Sequence, residues 1–481
     1  MATALWRRCT CAIGSLQLKS YRGPKPRPRQ AAPLLLNRPG MMNKRPSLLF
    51  LCQTLPYPPD SGVAIRCLHL LRLLARTFDV SALCFSSHKG GAVPQNDLPE
   101  RLDTLQQLAD VEVEVFPVPQ DHSVWRLAWD HLRSVSRNRV YTAFVYDSPT
   151  LTARLVHLLR ARRFDLIHVD SLKLCRYLPL LGRVPLVCGH HNVESVLLRR
   201  RALVEQAAWR RVYLGHQARL MEREEQRWCP RCDLNILVSE ADRLMLQRSV
   251  PGATCAVIPN GVDVETFRPS SGSEQGIVFV GESTWFPNRD GMQYFCDEVL
   301  PRIRATGETA PVRWVGRASD ALRHTYRDRY DVELTGYVAD VRPYVRDATC
   351  YVVPLRVGGG TRLKILDAWA MGKAVVSTSV GCEGLAAEDG RNILIRDDPD
   401  GFAQAVCAVL RDAALRQRLG AGGRRTVELQ YSWERIGESV LSLYGSLCES
   451  RGGVRVQGSQ GAAHGCDGEA SRLESTPRRE A

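Results

Sequence analysis

The 481-residue sequence has no apolar run of about 18 residues or more, so no transmembrane helix is expected. It has no internal repeat of solenoid length, which excludes stacked-repeat architectures. Acidic residues are missing from positions 1–45, where ten Lys and Arg stand among Pro and Ala. Nothing in that leader shows core periodicity. It is expected to be disordered, either as an over-extended start ahead of Met41 and Met42 or as a targeting segment. The sixteen cysteines lack a framework of short spacings. Cys229 and Cys232 form one C-P-R-C pair with no second pair at finger spacing, which leaves a four-ligand zinc site unfilled. Many others, among them Cys52, Cys84, Cys188 and Cys350, sit in apolar runs and read as buried, reduced thiols of a cytosolic protein. No acidic cluster marks a metal site.

The formal net charge of +14 invites a nucleic-acid reading. Ten of those positive charges lie in the leader and one net charge lies in 451–481, so the body carries only +3. A polyanion binder would put its charge on a folded face, and no nucleic-acid partner is expected. What the chain does have is 44% hydrophobic content, enough length for two or three domains, and alternating strand and helix patterns.

The most informative stretch is 350–385. The apolar run over 351–355 predicts a buried parallel strand. Gly358, Gly359 and Gly360 predict a loop, and Leu363, Leu366, Ala370 and Met371 mark one face of a helix beginning at Thr361. A second apolar strand over 374–378 follows Gly372 and completes a βαβ unit. Glycines at a helix N-terminus let backbone N–H groups approach an anion, and the helix dipole favours negative charge there. With Arg356, Arg362 and Lys364 nearby, the stretch reads as a phosphate or diphosphate site, although a tight turn would also explain a glycine triplet alone.

Three other loops follow predicted strands. The strand over 47–52 runs into L-P-Y-P-P-D-S-G, with Asp60 and Gly62, and then a helix over 65–76. The strand over 184–188 ends in G-H-H-N-V-E-S, which puts His190, His191, Asn192 and Glu194 where open α/β sheets bind ligands. A lone His there is more often structural, and Glu194 also suits a first helical turn. The strand over 276–281 ends at Gly281 and precedes Glu282, Trp285, Asn288 and Arg289, with a helix over 291–306. Two long helical regions, 125–163 and 196–228, mix Trp or apolar residues with many Arg. Both suit either a solvated helix face or an interfacial surface docked on an anionic membrane.

The 350–385 stretch resembles the donor-site signature of the family-4 retaining glycosyltransferases, in which two Glu residues stand seven residues apart across the loop and helix. Its wording, G-G-G-T-R-L-K-I-L-D-A-W-A-M-G-K-A-V-V-S-T-S, is most similar to the sugar transferases of exosortase and exopolysaccharide systems. L-P-Y-P-P-D-S-G, H-N-V-E and P-N-G-V-D-V-E-T-F-R-P over 259–269 resemble further elements of the same subgroup. The resemblance implies that Asp367, in the place of the second Glu, holds the nucleotide ribose. It implies that Gly358, Gly359, Gly360 and Thr361 donate N–H groups to phosphate or sugar, with Arg362, Lys364, Gly281 and Asn288 completing the donor site. His191, paired with Asp367 as the catalytic residues, orients the transferring sugar or the acceptor, and Asp60, Gly62, Asn192 and Glu194 line the cleft. Gly359 stands where the first Glu would touch the transferred sugar, which leaves that contact to the backbone.

The expected fold is α/β of the GT-B type, two Rossmann-like doubly wound parallel-sheet domains facing across a cleft. The expected divisions are a disordered segment over 1–45, an acceptor domain over 46–269, a nucleotide-sugar donor domain over 276–430, a helix over 431–449 returning to the first domain, and a disordered tail over 450–481. The expected activity is metal-independent hexosyl transfer, with retention, from a nucleotide-diphosphate sugar to a hydroxyl of a carbohydrate or lipid-linked acceptor. No cofactor is expected, and the expected location is cytoplasmic, with peripheral contact on the inner face of the membrane. A nucleotide-sugar epimerase, a non-catalytic nucleotide-sugar-binding module and a peripheral scaffold stay open as alternatives.

Overall fold

The computed structural model describes residues 45–87 and 97–451. The leader expected over 1–45, apart from Arg45, and the tail expected over 450–481, from 452 onward, lie outside these residues. The apolar runs form two all-parallel sheets. The first has seven strands: β1 (Ser47–Cys52), β2 (Asp79–Ser86), β3 (Glu112–Pro117), β4 (Leu166–Val169), β5 (Leu186–His190), β6 (Leu234–Leu237) and β7 (Cys255–Val257), in the order β3-β2-β1-β4-β5-β6-β7. The second has six: β8 (Ile277–Val280), β9 (Val312–Val315), β10 (Val332–Leu334), β11 (Cys350–Val353), β12 (Val375–Ser377) and β13 (Leu394–Ile395), in the order β10-β9-β8-β11-β12-β13.

Strand β1 shows why these runs are continuous rather than alternating. Leu49 and Leu51 enter one apolar cluster with Val169 and Leu237, while Leu48, Phe50 and Cys52 enter another with Leu71 and Val80. A sheet covered by helices on both faces needs an apolar residue at every position. In the second sheet Phe279, Trp314, Val352 and Val376 pack in one cluster with Ile365, Phe402 and Val427 from the covering helices.

In each sheet the strand order reverses once, between β1 and β4 and between β8 and β11. The connections on either side of a reversal leave toward opposite faces, which opens a crevice at the carboxyl ends of the two central strands. The segments that follow β1, β4, β8 and β11 therefore border the two crevices.

Two long helices expected from the sequence are broken. The region expected as one helix over 125–163 is Val124–Arg137, a short Thr142–Val145 turn and Pro149–Ala161. Asn138 ends the first piece in the left-handed conformation at φ 48°, and Ser148 caps the last piece with Pro149 at its first position. The region expected as one helix over 196–228 is a hairpin of Glu194–Val204 and Ala208–Trp228, with Glu205 extended between them. No Gly or Pro marks that break, so the apolar and basic pattern reads straight through it.

The last helix, Trp433–Arg451, leaves the second sheet and buries Trp433, Ile436, Val440 and Tyr444 in the first domain's core beside the Gly62–Leu74 helix. The i, i+3, i+7, i+11 spacing keeps these four on one stripe. Tyr444 also shares a 2.8 Å hydrogen bond with His168 Nδ1 at the heart of β4. Tyr444→Ala is expected to lower the first unfolding transition in urea by about 3–5 kcal/mol, whereas Glu438→Ala on the exposed side leaves it unchanged. Equal effects of the two substitutions would contradict this docking.

Candidate active site

The glycine loop follows β11, and its helix begins at Leu363 rather than at Thr361. Thr361 instead reaches the other domain, its hydroxyl donating to the Val238 carbonyl at 3.0 Å. Gly360 adopts φ +68°, and a Cβ there would collide with the His191 carbonyl and lie 2.7 Å from Asn192 Oδ1. Both the dihedral and the clearance require glycine. At Gly359 a Cβ would stand 3.1 Å from Asn192 Oδ1 and 3.7 Å from Leu197 Cδ1. The loop is thus seated against the His191–Asn192 segment.

Arg362 is buried, and its guanidinium donates to the carbonyls of Gly359 and Gly360, the latter at 2.9 Å, and to Val380 at 3.4 Å. Burial, only partly offset by Glu383 and Asp242, brings its pKa down to about 10. This side chain, read from sequence as a donor cation, braces the loop from its carbonyl side. Arg356 is paired with Asp290 at 2.7 Å. Lys364 is different. Its Nζ lies 2.7 Å from Asn288 Oδ1, 4.2 Å from the Phe279 ring centroid, and 2.8 Å from where a Gly281 Cβ would sit. It has no carboxylate partner among the described residues. Burial, followed by the Arg362 charge, pushes its pKa well below the ordinary lysine value. Gly281, Asn288 and Lys364 therefore gather a poorly neutralised cation at the β8–β11 reversal.

One turn along the helix from Lys364, the half-buried Asp367 carboxylate has no hydrogen bond or ion pair among the described residues. Burial alone raises its pKa to about 7. A carboxylate with free acceptor positions in a partly desolvated pocket is suited to accept from hydroxyl groups.

Across the cleft, β5 ends in the two histidines. His190 turns inward, with Nε2 at 3.0 Å from Asn235 Oδ1, and burial lowers its pKa to about 4. His191 points the other way and bonds Asp170 Oδ1 through Nε2 at 2.9 Å. Asp170 stands just past β4 and is fully buried. Burial pushes its pKa up, but the His191 charge and hydrogen bond outweigh this and hold it at about 2. With Nε2 donating to Asp170, Nδ1 of His191 is free to accept from a ligand. Glu194 Oε1 pairs with Lys173 Nζ at 2.9 Å.

Three further contacts draw the domains together. Arg200 forks onto Glu383 at 2.5 and 2.7 Å and donates to the Gly358 carbonyl at 2.8 Å. Asp60 pairs with Arg317 at 3.1 Å, and a Cβ on Gly62 would lie 3.2 Å from Leu363 Cδ1 at the start of the glycine-loop helix.

Asp170, Arg200 and Glu383 were not singled out from the sequence. For Asp170 the signal was an acid directly after a buried strand, but only the sheet order shows that this strand flanks the reversal. Cys52, Cys67 and Asp170 are also, among the described residues, the one group of three whose ligand atoms, all within 4.8 Å, could hold a metal ion. Cys67 Sγ already donates to Asp170 at 3.1 Å. No spacing announces this set, since its members come from β1, the following helix and the end of β4.

In comparison with known proteins, residues 61–266 match the family described as Glycosyltransferase Family 4, and residues 274–412 match the family described as Glycosyl transferases group 1. The chain is 29% identical over 232 residues to phosphatidyl-myo-inositol mannosyltransferase of Mycolicibacterium smegmatis, covering 45% of this chain and 58% of that protein. The chain thus spans less than two thirds of the length of that relative. It is 26% identical over 432 residues to alpha-maltose-1-phosphate synthase of Mycobacterium tuberculosis, covering 82% of this chain and 98% of that protein. Among solved structures, Anabaena Alr3699/HepE in complex with UDP aligns with a TM-score of 0.58 at 15% identity, over 83% of this chain and 100% of that one. Sucrose-phosphate synthase from Thermosynechococcus elongatus aligns with a TM-score of 0.59 at 17% identity, over 84% and 100%. At such identities the structural likeness speaks for the fold.

Because burial raises the folded-state pKa of Asp367 above its unfolded value of about 3.9, the folded chain binds the extra proton between about pH 4 and 7 and loses stability as pH rises through that window. Asp367→Asn removes this cost. In thermal melts without ligand the variant is expected to match the parent near pH 4 and to exceed it at pH 8 by about 1–2 kcal/mol, after a discount for solvent screening. A difference independent of pH would show that the carboxylate is not desolvated.

Proposed function

We propose, from the premise that this is a GT-B glycosyltransferase with a family-4 first half and a group-1 second half, that it moves a sugar from a nucleotide-diphosphate donor to a hydroxyl acceptor with retention at the anomeric carbon. The observation that carries this is the meeting of the two strand-order reversals: an unpaired Lys364 and Asp367 on one side, and the Asp170-held His191 seated against the glycine loop on the other. The named relatives and the UDP complexes of structural neighbours support a nucleotide-sugar donor and an acceptor in glycolipid or polysaccharide synthesis. The G-G-G-T-R-L-K-I-L wording supports the exosortase-associated subgroup.

In this mechanism the Lys364 ammonium, the Asn288 amide and the N–H groups of the glycine loop receive the diphosphate, and Asp367 accepts from the ribose hydroxyls. As the bond from the anomeric carbon to the diphosphate oxygen breaks, these donors stabilise the charge building on the leaving group. The acceptor oxygen forms its bond on the same face and passes its proton to the departing phosphate oxygen, so no protein nucleophile and no metal ion are called for. His191 Nδ1 orients a sugar or acceptor hydroxyl, and Asp170 fixes its ring. The enzyme works in the cytoplasm, at the inner face of the membrane. The replacement of the first Glu by Gly359 keeps one rival, a non-catalytic nucleotide-sugar-binding module, in view.

Screening UDP- and GDP-sugars for thermal stabilisation is expected to identify a donor, since a ligand saturating at about 100 times its Kd adds about 2.7 kcal/mol. Asp367→Ala is expected to lose that shift. His191→Ala is expected to keep it while turnover with acceptor falls at least about 100-fold, and Asp170→Asn to lower turnover about 10- to 100-fold with the donor shift intact. A donor that binds while no acceptor is ever glycosylated would favour the binding module. Sugar conversion without any acceptor would favour an epimerase.

A further inference from the structure

The Val124–Arg137 helix is amphipathic in the inverse sense. Its buried positions include Asp130 and Ser134, both 0% exposed, whereas Trp125, Trp129, Leu132 and Val135 stand 82%, 56%, 58% and 56% exposed. Asp130 is held by Arg126 at 3.0 Å and Arg133 at 3.6 Å, and Ser134 accepts from Gln217 at 2.9 Å. The polar face is thus satisfied against the protein, and the apolar stripe at i, i+4 and i+7 faces outward. Gln217 belongs to the Ala208–Trp228 helix, which also supplies Tyr213 to His131 at 2.5 Å and Glu224 to Arg139 at 2.8 Å. The hairpin beside it adds Leu203, Trp209 and Val212, 81%, 69% and 74% exposed. Eight of the fourteen exposed large apolar side chains among the described residues lie on these three helices.

We propose that this surface docks on an anionic phospholipid bilayer. Solvated helices do not turn tryptophans outward and bury their carboxylate, and an apolar patch of this extent marks an interaction site. Its charge selects the occupant. The three helices hold eleven arginines and five carboxylates, Asp130, Glu194, Glu222, Glu224 and Glu225. Of these arginines, Arg137, Arg201, Arg210, Arg211 and Arg219 have no carboxylate partner among the described residues. Tryptophan and arginine around an apolar stripe match the headgroup boundary of a bilayer, where the indole sits at the interface and the cations meet lipid phosphates. No described helix is long and apolar enough to cross a membrane, so the contact is peripheral. The Glu194–Val204 helix begins three residues after His191 and carries Leu203 about 14 Å away at 1.5 Å per residue. The bilayer therefore lies within reach of the cleft. The proposal rests on the transfer reading in one respect, that the acceptor is lipid-linked.

The test is co-sedimentation of the full chain with phosphatidylcholine vesicles, with and without about 30 mol% phosphatidylglycerol. Binding to the anionic vesicles is expected to be at least about 10-fold tighter and to weaken with salt. Trp125→Gln with Trp209→Gln is expected to weaken binding to both compositions about 10-fold, and Arg210→Gln with Arg211→Gln to weaken only the anionic binding, about 20-fold. Both variants are expected to keep the nucleotide-sugar thermal shift, which shows that they fold. No vesicle binding, binding untouched by either pair of substitutions, or a dimer in vesicle-free gel filtration that dissolves on the Trp substitutions would overturn the proposal. Loss of vesicle binding with the donor shift present leaves the transfer reading standing, and vesicle binding without any donor shift does the reverse.

Discussion

The site depends on one geometric constraint, the reversal of strand order in the middle of an all-parallel sheet. Because every strand points the same way, every loop that follows a strand emerges on one edge, and the reversal splits the central pair so that a crevice is left there. The chain builds this twice. Asp170 and the Asp60–Gly62 loop belong to the first crevice, Gly281 and the glycine loop to the second, and His191 comes from the strand next to the first reversal. An antiparallel strand at any of these places would have sent the loop that follows it to the far edge.

Electrostatics divides the work between the two edges. Asp170 and Asp367 are both sheltered from water, yet their pKa values move in opposite directions because one has a histidine beside it and the other has nothing. On the donor side, Lys364 lacks an anion and Asp367 lacks donors, so the fold leaves stabilisation there for a ligand to supply. On the other side both carboxylates are already satisfied, Asp170 by His191 and Cys67 and Glu194 by Lys173. One wall waits for a charged partner and the other holds a fixed tool.

Much of this was legible from sequence because apolar continuity, glycine placement and post-strand polar residues each have a local cause. The parallel strands and the glycine loop follow from such signals, whereas the choice of His191 over His190 came from the family resemblance alone. The break after Asn138 did carry stop and start signals, Asn138 and Ser148–Pro149, which the apolar and basic pattern masked. The break at Glu205–Ala207 was not legible, since no Gly or Pro interrupts the pattern there and tertiary packing decides it. Nor was the inward turn of Arg362, because a basic residue beside glycines reads as a ligand cation until its carbonyl partners are seen. Arg200 and Glu383 stand 183 residues apart, a pairing that only the closed cleft reveals.

The fit of Gly359 against Asn192 and Leu197 bears on how such a chain can change over time. A glutamate at 359, the residue of the resembled family, would bring four side-chain atoms beyond Cβ into space that the facing domain occupies. Such a side chain fits only if Asn192 Oδ1, 3.1 Å from its Cβ, gives way. The Asn192 amide would have to turn aside first, so what position 359 can carry is set from the opposite wall by position 192.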